Sequence, residues 1–179
     1  MLKDIKWSMV LIFMSVSLII LFGGWYLYQE NNIKEPITNS INDITGVTVD
    51  EIKLDINEIE LNLTLEKIDK LQVTYNSILN KLQPYLNNRD LTININSNPS
   101  DDILEAWSNS YFSIAEAIEL KNFSLIPETV LELKKDYSLD QAICTMDNQN
   151  IYIKLQQGES SLYIVINTSG NGVEVNSFG

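Results

Sequence analysis

The chain has no histidine, which removes at once the commonest general base and the commonest metal ligand. It has one cysteine, Cys144, so it forms no intrachain disulfide and supplies no thiolate cluster for a metal. Arginine occurs once, at Arg89. Bases as a class are scarce, 12 against 24 acids, for a net charge of −12 over 179 residues. Lys3, Asp4 and Lys6 precede the first apolar run, so the part after Tyr28 holds 23 acids and 10 bases, a net of −13. Such a surface repels phosphate backbones and argues against nucleic acid as a partner. It is also pushed from anionic lipid. No S-x-x-K occurs outside the apolar run, so the serine–lysine arrangement has no place in the rest of the chain. Internal repeats and low-complexity tracts are absent too.

What is present begins with 22 uncharged residues, Trp7 to Tyr28. As a helix rising about 1.5 Å per residue this run covers roughly 33 Å, against a hydrocarbon core of about 30 Å. Trp7 marks one end and Trp25, Tyr26 and Tyr28 the other, as aromatic belts do at the two interfaces. Lys3 and Lys6 stand before the run, whereas only Lys34 follows closely, beside Glu30 and Glu35. Basic residues stay inside, so the N-terminus is expected in the cytoplasm and the larger part outside the plasma membrane. A cleaved signal would have a shorter apolar core ending in small residues. Here the run closes on Trp-Tyr-Leu-Tyr, and no lipobox cysteine follows. The expectation is a retained anchor over residues 7–28, a cytoplasmic N-terminus over 1–6 and a linker over 29–36 that ends in Pro36.

The length leaves room for one further domain or two very small ones. Pro36 suits the start of a helix. Ile37, Ile41 and Ile44 follow at helical spacing, with Gly46 where a C-cap belongs. The stretch 47–65 reads two ways. Val47, Val49, Ile52 and Leu54, then Ile59, Leu61, Leu63 and Leu65, alternate as a hairpin turning at Asn57-Glu58; Ile52, Ile56, Ile59 and Leu63 also fit a helix. The hairpin accounts for more apolar positions. Next, Leu65, Ile68, Leu71, Tyr75, Ile78, Leu79 and Leu82 predict a helix with Thr64 as N-cap and Pro84 near its end. Residues 91–97 alternate as a strand, with Leu91, Ile93 and Ile95 on one side.

Ser100 is placed to cap a second long helix whose first turn carries Asp101 and Asp102. Its apolar stripe is expected at Leu104, Trp107, Tyr111, Ile114, Ala115 and Ile118. A shorter helix runs from Ile126 to about Lys135. The tail alternates as four strands around Ala142–Met146, Ile151–Leu155, Leu162–Ile166 and Val173–Val175, an antiparallel meander with one buried face. The expected class is therefore α+β: one transmembrane helix, then a small extracytoplasmic domain of antiparallel sheet covered by two to three amphipathic helices. Residues 37–97 would form one subdomain, and 98–179 the helices with the meander.

The helix–strand–strand–helix–strand order over about residues 37–97 resembles the small αββαβ ring-building modules of membrane-anchored secretion and sporulation proteins. The resemblance is one of topology, and it implies a part in a bacterial cell-envelope assembly. The wealth of asparagine and isoleucine beside a single arginine is also a bias of low-GC bacterial genomes. The glycosylation sequons at Asn62, Asn122 and Asn167 are matches that chance supplies at this asparagine content.

Candidate chemistry is thin. Acids cluster at Asp50, Glu51, Asp55, Glu58 and Glu60, at Asp101, Asp102 and Glu105, and at Glu116 and Glu119. Glu116 and Glu119 share a helix face, but a convex face lacks the walls that separate two carboxyl pKa values. Asp147-Asn148-Gln149-Asn150 departs from a calcium loop at the third and fifth positions. Ser169-Gly-Asn-Gly172 reads as a hairpin turn rather than an anion cradle. Cys144, on the inner face with Ala142 and Met146, reads as a small core residue, with an interchain disulfide as the alternative. No catalytic, metal or cofactor-binding residue is assigned. Phe112 is the one residue singled out as a partner contact. It lies off the core stripe, and either the 124–139 segment covers it, which the pattern favours, or it stands free for a partner.

The function expected is a membrane-anchored, non-enzymatic binding or scaffolding domain, held by the lipid bilayer through residues 7–28 and joined to a protein partner or a second copy. An extracytoplasmic ligand sensor, or a carboxylate-dependent enzyme with a site hidden from sequence, is the alternative. An exposed apolar surface or an unpaired strand edge favours the first; an enclosed pocket with converging carboxylates favours the second.

Overall fold

The computed structural model describes residues 7–168, and these divide into two compact units after Ser40. The first holds helix α1, Trp7–Gln29, which is apolar all round and long enough to cross a membrane. Residues 29–36, read from sequence as a linker, are helical instead. A wide turn, Glu30–Lys34, follows α1 directly, and the Glu35 N–H reaches back five residues to the Glu30 carbonyl. A proline ring collides with the carbonyl four residues before it in a regular helix. The widened turn just ahead of Pro36 relieves that collision, so α2 (Glu35–Asn42) continues the rod.

The second unit opens at the end of α2. Asn42 Oδ1 accepts from the Val49 N–H at 2.9 Å, and Gly46, at φ +77°, turns the chain into β1. A side chain at Gly46 would collide with the Glu66 carbonyl. Residues 47–65 form the hairpin and not the helix. β1 (Val47–Leu54) pairs antiparallel with β2 (Glu58–Leu65), with a bulge between Val49 and Glu51. β3 (Asp90–Asn96) then adds on the other side of β2, in the order β1-β2-β3. It is parallel to β2, which departs from the all-antiparallel sheet expected. The cause is α3 (Leu71–Leu86), a 16-residue crossover that returns the chain to the same end of the sheet before β3 begins. The helix starts later than Thr64, because Leu65 stays in β2 and Thr64 bonds Asp50 across the strands at 2.8 Å. Leu71, Tyr75, Ile78 and Leu82 are its buried stripe, and Asn87 ends it in the left-handed region.

α4 (Asp101–Glu119) starts where expected, with the Ser100 hydroxyl accepting from the Ile103 N–H at 3.4 Å. Its buried stripe is rotated from the one expected: Ile103, Ala106, Ser110, Ile114 and Ala117 face inward. Three of these are small and let the helix lie close to the sheet, so the bulkier Leu104, Trp107 and Tyr111 are displaced to its flank. α5 (Leu125–Asp136) follows and buries Ile126, Val130 and Leu133. The second sheet is an antiparallel meander in the order β4-β5-β6: Gln141–Met146, Asn150–Gln157 and Ser160–Asn167. The fourth strand expected at Val173 and Val175 lies outside the described residues.

One buried face was expected of this meander, and β5 and β6 have two. Ile151, Ile153, Leu155, Leu162, Ile164 and Ile166 pack in one core with α4 and α5. Tyr152, Lys154, Tyr163 and Val165, on the opposite face, are buried as well. The Tyr163 hydroxyl accepts from the Ile68 N–H at 3.0 Å, and the Tyr75 ring of α3 meets Tyr152 edge-on at 5.7 Å. The segment ahead of the first sheet's crossover helix, and the helix itself, thus form a second layer over this sheet.

Candidate functional site

The acids Asp50, Glu51, Glu58 and Glu60 of the first sheet are engaged by their cross-strand neighbours. On the open face of the first sheet, Lys53 bonds both Glu60 oxygens at 3.1 Å, and Asn62 bonds Glu51 at 3.1 Å. Thr92 reaches Glu58 at 2.6 Å, and Asn96 reaches Asp50 at 3.1 Å. This is a polar cross-strand ladder on a solvated face. Glu116 and Glu119 are both exposed. Among the described residues, no three histidine, cysteine, aspartate or glutamate side chains gather as a metal site.

Cys144 is half-buried and packs against the core under α4 and α5. Burial pushes its thiol up to about 11, the direction of an inert thiol. Met146, placed with it on the inner face from sequence, is exposed, because β4 is an edge strand with less cover.

Phe112 is 79% exposed, so the 124–139 segment does not cover it. The reason is the rotation of α4. Phe112 projects nearly opposite the Ser110–Ile114 stripe, while α5 lies beside the helix, where Asn109 donates to the Tyr137 hydroxyl at 2.6 Å. Phe112 stacks edge-on with Tyr111 at 5.8 Å, and Tyr111 with Trp107 at 5.9 Å. Trp107 is half-buried against the core and Tyr111 half-buried, while Leu104 and Phe112 are exposed, so the apolar strip runs from the edge of the core to the outer side of α4.

A second feature lies on the far face of the meander, away from α4. A cavity of about 480 Å³ opens between the start of α3 and β4–β5, with Asp69, Leu71, Val73, Ile143, Tyr152 and Lys154 among its walls. Lys154 is only 3% exposed. Its ammonium makes no hydrogen bond or ion pair with a described residue. Burial pulls its pKa down, and the charge of Asp69 partly offsets this. Beside it the Tyr152 hydroxyl donates to Asp147 at 2.8 Å and accepts from Asn150 at 3.2 Å. Burial tends to raise the Asp147 carboxyl. It is nevertheless held below its usual value by the Gln149 N–H, the Tyr152 hydroxyl, the Asn150 N–H and Asn76. Burial, and then the hydrogen bond to Asp147, push Tyr152 up; burial, and then the charge of Asp147, carry Tyr75 up to about 12.

The chain matches no protein-family model, no curated protein and no solved structure.

Lys154 was not singled out by the sequence reading. With Ile151, Ile153 and Leu155 turned to one core, alternation sends Tyr152 and Lys154 to solvent. The available signal was the company they keep: Tyr152, Tyr163 and Val165 share that supposedly wet face.

Beside the cavity, β4 is an edge. The turn closes with the Asp147 N–H on the Asn150 carbonyl at 3.0 Å. That fixes the alternation, so the N–H and C=O of Ala142, Cys144 and Met146 point away from β5. Among the described residues no strand pairs with them.

Proposed function

We propose that this chain is a single-pass protein of a bacterial plasma membrane, with a cytoplasmic N-terminus and an extracellular, non-enzymatic domain that binds another protein within an envelope assembly. One N-terminal helix is long and apolar enough to cross a membrane. Orientation rests on the Lys3 and Lys6 side of that helix being the inner one. The observation that carries the binding role is Phe112, an aromatic ring 79% exposed and backed by Tyr111 and Trp107. Large aromatics pre-ordered by their neighbours are typical anchors of protein interfaces, and the open edge of β4 offers a second mode of attachment. The αββαβ order of α2, β1, β2, α3 and β3 supports a place in a secretion- or sporulation-type assembly.

The test is a photo-crosslinking amino acid placed at position 112 in native membranes, with the same group at Lys53 on the polar sheet face as control. Adducts at position 112 and none at 53 are expected; a dimer-sized adduct would identify a second copy as the partner. Absence of any adduct at 112 would remove the reason for assigning α4 to a partner. The sensor reading draws on a different observation, the cavity around Lys154, whose described walls hold a single carboxylate, Asp69.

A further inference from the structure

Two features that the partner surface does not use meet in the cavity beside β4. Helix α3 begins at Leu71 with no capping side chain. Its first helical bond runs from the Thr74 N–H to the Lys70 carbonyl at 3.0 Å, so the N–H groups of Leu71, Gln72 and Val73 lack an intrahelical acceptor. They sit at the positive end of a 16-residue helix. Lys154 lines the same cavity, 3% exposed, with no hydrogen bond or ion pair to a described residue, and the charge of Asp69 acts on it from nearby. An ammonium held this way costs stability unless something compensates it. The other charged walls are Asp69, whose charge already acts on Lys154, and Lys70, so the three together leave one net positive charge. Leu71, Val73, Ile143 and the Tyr152 ring supply apolar wall, while the Tyr152 hydroxyl is engaged by Asp147.

We propose that this cavity is a binding site for a small amphipathic anion: a carboxylate or phosphate head group held by Lys154 and the open N–H groups of α3, with an apolar body against Leu71, Val73 and Ile143. The two charge contributions act together. A helix N-terminus provides directed N–H donors, and an ammonium on a largely buried side chain gives a charge-assisted bond. The volume of about 480 Å³ is that of a small-ligand pocket. Gln72 and Thr145 at the wall offer further hydrogen bonds for specificity. The site lies across the meander from α4, so it stands or falls separately from the Phe112 surface.

The full-length chain in lipid nanodiscs, followed by methyl NMR of Ile143, tests this. The probes are 3-phenylpropanoate, 2-phenylethylphosphonate and the uncharged 3-phenylpropan-1-ol. At least one anion is expected to shift the Ile143 methyl saturably, and which one does so distinguishes a carboxylate head from a phosphate-like one. The alcohol should bind about tenfold more weakly or worse, as loss of a charge-assisted bond implies. Lys154→Gln should weaken the anion by a similar factor. Should that variant fail to fold, Gln72→Glu keeps the question open to test: an acid in the first turn suits the helix, yet it competes with the ligand and should weaken binding several-fold. Equal binding of alcohol and anions, unchanged affinity in either folded variant, or no Ile143 shift with any probe at millimolar concentration would each overturn the site.

Discussion

At Lys154 a charged group occupies a position that the packing would fill better with a methyl-ended chain. Its depressed pKa is the imprint of that burial, with Asp69 offsetting part of it. Lys154→Met is therefore expected to stabilise the fold by about 0.5–2 kcal/mol, read from a urea titration. Because the folded-state pKa lies below the unfolded one, the gain should be full below the folded value and fade as pH approaches about 10.4. A loss of stability would mean that Lys154 has a structural partner. Cys144 makes the converse case. With its thiol pushed up to about 11, it should react with iodoacetamide far more slowly at pH 8 than after denaturation, since only the thiolate attacks. Equal rates in the two states would place it at the surface.

Elements were legible where a single period ruled them. The hairpin of 47–65, the Ser100 cap of α4 and the three strands of the meander follow from alternation and from N-cap chemistry, and β1–β6 and α4 bear this out. What was not legible depends on a neighbour. Parallel pairing of β2 with β3 is fixed by where the crossover helix delivers the chain, not by the strands' own residues. The inner stripe of α4 turned toward Ala106, Ser110 and Ala117 because close approach favours small side chains, and no periodicity distinguishes that from the bulkier Leu104–Trp107–Tyr111 set. Phe112 was thereby exposed, and Lys154 was hidden by a second layer, so both candidate sites turned on tertiary packing. Gly46 is the point where α2 hands the chain to β1. Gly46→Ala should cost more than about 1–2 kcal/mol in thermal denaturation, because a left-handed φ is joined to a clash with the Glu66 carbonyl. A neutral outcome would mean that the turn readily re-forms.

At the scale of the whole chain, charge and the apolar helix act on different observables. The net charge of −12 should leave the protein unbound by DNA at any ordinary salt. The long apolar N-terminal helix should keep it in the membrane pellet through alkaline carbonate, with release by detergent alone; release by carbonate would contradict the anchor. Stability should also have a window in pH set by the cluster around Tyr152. Tyr75 and Tyr152 have folded pKa values above the unfolded value of about 10, so their share of stability is whole below that pH. It drains away as pH climbs through the folded value, about 12 for Tyr75. Asp147 works in the opposite sense: depressed in the fold, it contributes above the unfolded value of about 3.9 and is lost on acidification below it. Denaturant titrations across pH should trace a plateau from about pH 4 to about 8.5, where the raised Cys144 thiol begins to draw stability down, and a further alkaline fall steeper than in Tyr152→Phe.

Strands β5 and β6 carry side chains into packed layers above and below, whereas β4 leaves Ile143 and Met146 in water. In deuterated solvent, the amide protons along Tyr152–Leu155 in the central strand, with those of Leu162 and Ile164 that bond to it, should therefore be the last to exchange. Those on the rim at Ala142, Cys144 and Met146 should go within the first time points. The slowest clock in this sheet runs on the strand next to its fastest, and a ligand that settled against that rim would be recognised first by slowing the fast protons there.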